Sequence, residues 1–287
     1  MTEKALHDKK LSLTNDGRLQ IFFIGVGSAF AERHHQTNFL IIKGDSHVMV
    51  DFGRTAPEAF RDTTGLSPYD IEVVLPTHSH GDHVGAIEQL AQMNKYVGIP
   101  HMGKKKLKMV ISTEYQRILW ENSLRGGLEY NEELAKGRVM TFSDYFDVIR
   151  PEWKQHQPRE VFQVDVGDIH LEMFRTNHIP EQAVNWAGSF ISYGVFVDDR
   201  VLVSCDSKFD TGLIDMYGDK SEAIFHDVQF FPGAVHAPLD DLKTLPDDIK
   251  KKTRLIHYGD NWESQDITGF QGWATQGVVY SFGESNR

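Results

Sequence analysis

The sequence predicts an α/β fold with mixed sheets, and three observations carry that expectation. Short apolar runs recur along the whole chain, stretches of helical periodicity separate them, and a crowd of imidazoles and carboxylates follows one run directly. At 287 residues with 40% hydrophobic content, the chain can bury a sizeable core and is not disordered as a whole.

Taken in order, residues 19–26 read as a buried strand, and Gly25-Val26-Gly27-Ser28 as the tight turn after it. Residues 38–44 and 47–52 are two further strands joined near Gly44-Asp45, with Asp51-Phe52-Gly53 closing the second. A short helix is expected over 56–64, a strand over 71–76 and an amphipathic helix over 84–94. Residues 104–160 are polar and helical in texture, with Tyr115, Trp120, Tyr130, Tyr145 and Trp153 interspersed, mainly as core residues. No Pro/Gly/Ser linker bounds this stretch, so it reads as a helical insertion within one domain spanning 1–287. Strands return at 161–166, 169–175, 188–197 and 200–204, and Val197-Asp198-Asp199-Arg200 is a hairpin signal. The chain then alternates: strand 223–228, helix 240–252, strands 253–257 and 277–282, with no internal repeat in the residues.

Charge narrows the partners. Forty-one acidic against thirty basic side chains leave a net charge of −11, whereas long nucleic acid is bound through a cationic footprint. Lys104-Lys105-Lys106 and Lys250-Lys251-Lys252 read as solvated helix faces. A single cysteine excludes an intramolecular disulfide framework and suits a reducing compartment. The stretch Met1 to Lys10 lacks an apolar signal region, and no run is long enough to span a membrane. A cytoplasmic protein with a small anionic substrate is expected.

The chemistry concentrates at Thr77-His78-Ser79-His80-Gly81-Asp82-His83. Three imidazoles and a carboxylate at the end of a buried strand are costly unless something compensates them. Metal is the usual compensation, and imidazole nitrogens with carboxylate oxygens are donors that zinc accepts. Three further candidates stand at strand ends: His178 after 171–175, Asp206 after 201–205 and His257 after 253–256. Cys205, next to Asp206, reads as a small core residue.

The pattern His-x-His-x-Asp-His resembles the signature of the metallo-β-lactamase superfamily. That resemblance covers Leu19 to Phe282 and implies a four-layer αββα sandwich. It further implies that His78, His80 and His178 hold one divalent ion and Asp82, His83 and His257 a second, with Asp206 bridging. Zinc is the expected metal, with manganese the alternative; the carboxylate-richer di-iron relatives fit less well. Two such ions roughly 3.5–4 Å apart lower the pKa of a shared water from about 15.7 toward about 7, which makes hydroxide available at neutral pH.

A second stretch separates the hydrolase classes: Ile224-Phe225-His226-Asp227 and, further on, Gly233-Ala234-Val235-His236-Ala237. It is similar to the ribonuclease Z branch, which implies that His236 protonates a leaving oxygen and that Asp227 orients it, with His226 a packing residue. A phosphodiester expels an alkoxide, for which a general acid is worth about 10²–10⁴-fold. The candidate catalytic residues are therefore Asp82 (also a ligand), His236 and Asp227. The chain departs from that branch in three respects. Asp206 follows His178 at an interval of only 28 positions (206 − 178), too short for a tRNA-binding arm; Asp227 replaces a Glu; and the charge is strongly negative. Length and the His-Asp…Gly-Ala-Val-His region look like the armless anti-Pycsar proteins of phages and bacteria. That likeness implies a homodimeric phosphodiesterase acting on 3′,5′-cyclic nucleotides of antiviral signalling, with 104–160 as a possible partner-facing element. A tRNA 3′-processing endonuclease, a lactone or acyl hydrolase, and a metal-binding scaffold or sensor without catalysis are the alternatives. His34 and His35 read as exposed loop residues.

Overall fold

The computed structural model describes residues 1–6 and 10–283. Residues 7–9, within the N-terminal stretch, and 284–287, at the end of the expected domain, lie outside the described residues.

Seven strands come first: β1 (Thr2–Ala5), β2 (Gln20–Gly25), β3 (Asn38–Lys43), β4 (Ser46–Val50), β5 (Val73–Leu75), β6 (Lys108–Val110) and β7 (Asp147–Ile149). Eight follow: β8 (Glu152–Gln155), β9 (Val161–Val166), β10 (Ile169–Arg175), β11 (Tyr193–Val197), β12 (Val201–Val203), β13 (Ala223–Asp227), β14 (Thr253–Ile256) and β15 (Gly272–Trp273). The last, β16 (Val278–Ser281), returns to the first group and inserts between β1 and β2. Among the described residues two eight-stranded sheets result, in the orders β1-β16-β2-β3-β4-β5-β6-β7 and β15-β14-β13-β12-β11-β10-β9-β8.

The sheets share a pattern that the residues do not display. In the first, pairing is antiparallel from β1 through β4 and parallel from β4 through β7. In the second, it is antiparallel from β8 through β12 and parallel from β12 through β15. Strands such as Ile21-Phe22-Phe23-Ile24 are fully buried because both faces are covered, which is why they are continuously apolar rather than alternating. One cover is the other sheet: Phe23 on β2 meets Phe225 on β13 with ring centroids 5.0 Å apart, and Tyr280 packs on both. Helices supply further cover. Helix Ala56–Thr64 buries Ala59 and Phe60, and ends at Gly65 in the left-handed region (φ 67°). Helix Ile87–Met93 buries Ile87, Leu90 and Ala91.

Several expectations need correction. Residues 104–160 are not a purely helical insertion, because β6, β7 and β8 lie within them and edge both sheets. Helix is confined mainly to Thr113–Leu119, a π turn over Trp120–Leu124 and Arg125–Leu128. Three-residue strands such as Lys108-Met109-Val110 are too short for a period to register. Tyr115 and Tyr145 are core residues, but Tyr130 and Trp153 are exposed. The strand expected over 188–197 begins only at Tyr193, after a 3₁₀ turn over Trp186–Gly188. The helix expected over 240–252 is two single turns, Leu239–Leu242 and Asp247–Lys250, parted by Pro246, which cannot continue a helix. The hairpin between β11 and β12 forms, with Asp198 and Asp199 both at positive φ (52° and 54°).

Candidate metal centre

Parallel pairing brings one end of each sheet to a common edge. Asp51 leaves β4, the 77–83 segment leaves β5, Asp206 follows β12, Asp227 ends β13, and His257 follows β14. His178 arrives three residues beyond antiparallel β10. Three of these exits adopt left-handed backbone: Asp51 (φ 62°), Cys205 (φ 49°) and His257 (φ 58°). Such conformations are costly for non-glycine residues and concentrate where geometry serves a site.

The 77–83 segment is shaped by its neighbours. His80 precedes the one-turn helix Gly81–Val84, which carries Asp82 and His83. Phe52 N donates to His83 O at 2.7 Å, and Asn38 Nδ2 donates to Asp82 O at 3.1 Å. Gly53 packs so closely that a Cβ there would fall on the Asp82 carbonyl.

All seven candidate ligands converge. His78, His80, His178 and Asp206 offer donor atoms within 4.8 Å of one another, and so do Asp82, His83, Asp206 and His257. Asp206 belongs to both groups: its Oδ2 lies 3.2 Å from His83 Nε2 and 3.7 Å from the Nε2 atoms of His78, His178 and His257. Asp82 Oδ2 lies 3.3 Å from the Nε2 atoms of His83 and His257. His80 presents Nδ1, 3.2 Å from His178 Nε2.

Three of the donor atoms facing inward lack partners among the described residues. His78 Nε2, His83 Nε2 and Asp206 Oδ2 are buried without a hydrogen bond. Native proteins seldom leave such atoms unsatisfied, so the cluster fits a divalent metal ion. The outward nitrogens are committed: His78 Nδ1 to Thr77 Oγ1 (3.1 Å), His83 Nδ1 to Asp51 Oδ2 (2.7 Å) and His178 Nδ1 to Val235 O (2.9 Å). Thr77 Oγ1 in turn donates to Asp51 Oδ2 at 2.8 Å. Partners of this kind set which nitrogen is free to ligate. Asp51 and Thr77 were not singled out as site residues from the sequence; a carboxylate at the exit of a buried strand was the signal available.

Protonation follows the same geometry. Burial pushes the imidazoles of His78 and His80 below their usual range, and that of His178 down to about 4, which keeps these donors neutral. Burial acts upward on Asp82 and Asp206 but is outweighed by surrounding imidazoles, so both carboxylates stay ionised.

His236 stands beside the cluster. Its Nδ1 is 2.9 Å from Asp227 Oδ2 and 3.9 Å from Asp206 Oδ2, and its ring stacks on His257 at 4.5 Å. Burial lowers its pKa, but Asp206 and Asp227 overcome that and raise it, favouring the protonated ring. Asp227 is fully buried and receives Ser207 N at 3.2 Å, while Asp227 N donates to Ser204 Oγ at 3.0 Å. His226 points its Nδ1 at the Asp227 carbonyl (2.8 Å) and stays in the packing. Cys205 is buried outside the donor groups, its thiol pushed up by burial. His34 packs edge-on against Tyr258 and Trp262 and so is half-buried rather than freely exposed.

Two cavities flank the centre. One, of about 390 Å³, is lined by Phe30, Phe230, Phe231, His236 and His257. The other, of about 550 Å³, is lined by His78, His80, Tyr115, Asn122, His178 and Phe190. No helix among the described residues is long and apolar enough to cross a membrane.

Comparison with known proteins agrees with this geometry. The family model described as "Anti-Pycsar protein Apyc1" matches residues 19–280. A protein of that name from Paenibacillus sp. (strain J14) is 33% identical over 267 residues, covering 92% of this chain and 99% of the relative. Its namesake from Bacillus phage BSP38 is also 33% identical, covering 91% and 97%. Among solved structures, the metallo-β-lactamase fold protein YhfI from Bacillus subtilis superposes with a TM-score of 0.65 at 17% identity, covering 92% of this chain and all of that one. The short form of human tRNase Z superposes with a TM-score of 0.60 at 14% identity, covering 91% and 98%. The expected four-layer metallo-β-lactamase architecture is therefore the observed one, and the centre is that of a metal-dependent hydrolase.

Proposed function

The chain belongs to the anti-Pycsar Apyc1 family, and from that membership we propose that it is a two-metal phosphodiesterase opening 3′,5′-cyclic nucleotides (cCMP, cUMP, cAMP and cGMP) to linear monophosphates. In this reading His78, His80 and His178 hold one ion, Asp82, His83 and His257 the other, and Asp206 both. Zinc is the expected metal and manganese the alternative. Bound there, the ions supply an acidified water and polarise phosphate oxygens.

The observation that carries the proposal is the His236–Asp227 pair beside the donor cluster, 2.9 Å apart. Water adds to phosphorus, one ester P–O bond breaks, and the departing alkoxide needs a proton. In this reading His236 gives it from Nε2, and the contact of its Nδ1–H with Asp227 supports that role. Asp227 also stabilises the charged ring before transfer.

Size and charge support a small substrate. Residues 179–192 form a short loop with a single 3₁₀ turn rather than a tRNA-binding arm. A net charge of −11 opposes a long polyanion, whereas the metal ions offset it locally for one phosphate. We further propose that the protein works in the cytoplasm as a homodimer, by likeness to its family.

The test is turnover of the four cyclic nucleotides by zinc- or manganese-loaded protein, followed by chromatography. Conversion to linear monophosphates, lost with chelator and strongly reduced in His236→Ala, is expected. No conversion with metal demonstrably bound would sink the proposal. Ester or lactone hydrolysis indifferent to His236→Ala would favour the acyl hydrolase.

A further inference from the structure

The loop that carries His236 is held by more than Asp227. Gly233 and Ala234 lie consecutively in the left-handed region (φ 80° and 60°), and Ala234 has a side chain that disfavours it. Each following residue is tied to a different part of the chain. Ala234 N donates to Glu181 Oε1 at 2.9 Å, Val235 O accepts from His178 Nδ1 at 2.9 Å, and His236 Nδ1 donates to Asp227 Oδ2 at 2.9 Å. Gln229 Nε2 adds bonds to Phe231 O (2.8 Å) and Gly233 O.

Glu181 differs from the other anchors. His178 and Asp227 are part of the centre, whereas Glu181 is an exposed carboxylate on the loop after it. Negative charge beside an anionic substrate is electrostatically unfavourable, so its usefulness there lies in accepting a hydrogen bond. It is also held in place. Lys208 Nζ gathers the carbonyls of Glu181 (2.9 Å), Pro180 (3.4 Å) and Ala183, and Lys208 N donates to Asn177 O at 2.7 Å. Lys208 stands two residues after Asp206. The metal-bearing exit of β12 is thereby strapped, through the 180–183 turn, to the loop that presents His236.

We infer that Glu181 is a positioning residue: through the Ala234 amide it holds the left-handed turn that aims His236 at the leaving oxygen. This inference rests on the reading of His236 as proton donor. No other acceptor takes the Ala234 amide among the described residues. Without Glu181 the turn can relax and move His236 off line, leaving the ligand positions themselves in place.

The test compares wild type, Glu181→Ala, Glu181→Gln and His236→Ala on two substrates. One is the cyclic nucleotide that turns over fastest, whose alkoxide needs a proton. The other is bis(p-nitrophenyl) phosphate, whose nitrophenolate leaves without one. Glu181→Ala is expected to lower kcat on the cyclic nucleotide about five- to tenfold, as loss of one hydrogen bond allows, with KM within about twofold. On the nitrophenyl ester it should fall no more than about twofold. Glu181→Gln keeps the acceptor oxygen and should restore most of the lost rate. Hydrogen exchange at the Ala234 amide should quicken in the alanine variant and not in the glutamine variant. Equal losses of Glu181→Ala on both substrates, a glutamine variant no better than alanine, or unchanged exchange would overturn the inference while leaving the His236 reading intact. If His236→Ala itself loses the same factor on both substrates, the proton-donor reading falls, and the role of Glu181 falls with it.

Discussion

His83 is gripped from both sides: its Nδ1 lies 2.7 Å from the carboxylate of Asp51, and its Nε2 lies 3.2 Å from that of Asp206. The two acids come from different sheets, one at the end of β4 and the other beyond β12. Burial pushes the His83 ring toward the neutral form, but Asp206, Asp82 and Asp51 together raise its pKa well above the usual value. Asp51 is itself pushed up by burial, and a divalent ion at Nε2 would displace the proton that these acids favour on the ring.

Asp51→Asn should weaken metal binding without unfolding the chain. The amide keeps the volume and can still accept from Thr77 N (2.7 Å), but it is neutral and no longer enforces the Nδ1–H tautomer of His83. Loss of such an outer partner typically costs about 10–100-fold in affinity. Competition against a chromophoric chelator checks this, and an unchanged affinity would show that the Asp51–His83 contact is incidental.

His236→Ala should lower kcat on a cyclic nucleotide about 10²–10⁴-fold while metal content stays near that of the wild type. His236 is grouped with Asp206 and Asp227 but lies outside the two four-residue ligand sets. Asp227→Asn should cost less, because the ring can still be oriented though not charge-stabilised. Parallel measurement of metal content and rate separates these effects; metal lost along with rate would make His236 a ligand instead.

Gly53→Ala should destabilise the protein by about 1–3 kcal/mol, since the added methyl group would overlap the Asp82 carbonyl in a packed region. The strain falls on a candidate ligand's own backbone, so metal affinity should drop as well. Thermal melting with and without metal measures both, and a variant that melts like the wild type in each condition would contradict the packing argument.

His47 on β4 offers a pH signature remote from the donors. Burial lowers its pKa below 6.5, and its Nε2 accepts Glu72 N at 3.0 Å, which requires the neutral ring. The unfolded chain therefore takes up this proton first as pH falls. Its contribution is fully present above 6.5 and is lost as pH drops from there toward the lower folded value. Denaturant titrations of chelated protein at several pH values should show a shallower loss in His47→Gln than in the wild type. Equal slopes would mean that His47 is protonated in the fold.

The candidate metal donors were legible in the residues because they form a local contrast: histidines and aspartates placed where apolar runs stop. The sandwich followed from the same runs together with the resemblance that the 77–83 motif carries. Tertiary structure decided the rest. Three-residue strands such as β6 are too short to leave a period, so the helical reading of 104–160 had no local evidence against it. The matching sheet patterns are a property of hydrogen-bond direction, which side chains do not encode one by one. The partnership of His83 with Asp51, 32 positions away, exists because β4 and β5 run parallel and end together. Glu181 meets Ala234 only because the exits of β10 and β13 converge on one cleft. Which residues can ligate is written in the sequence through burial and residue type; which atoms face one another depends on strand register, and register is settled only when the two sheets pack.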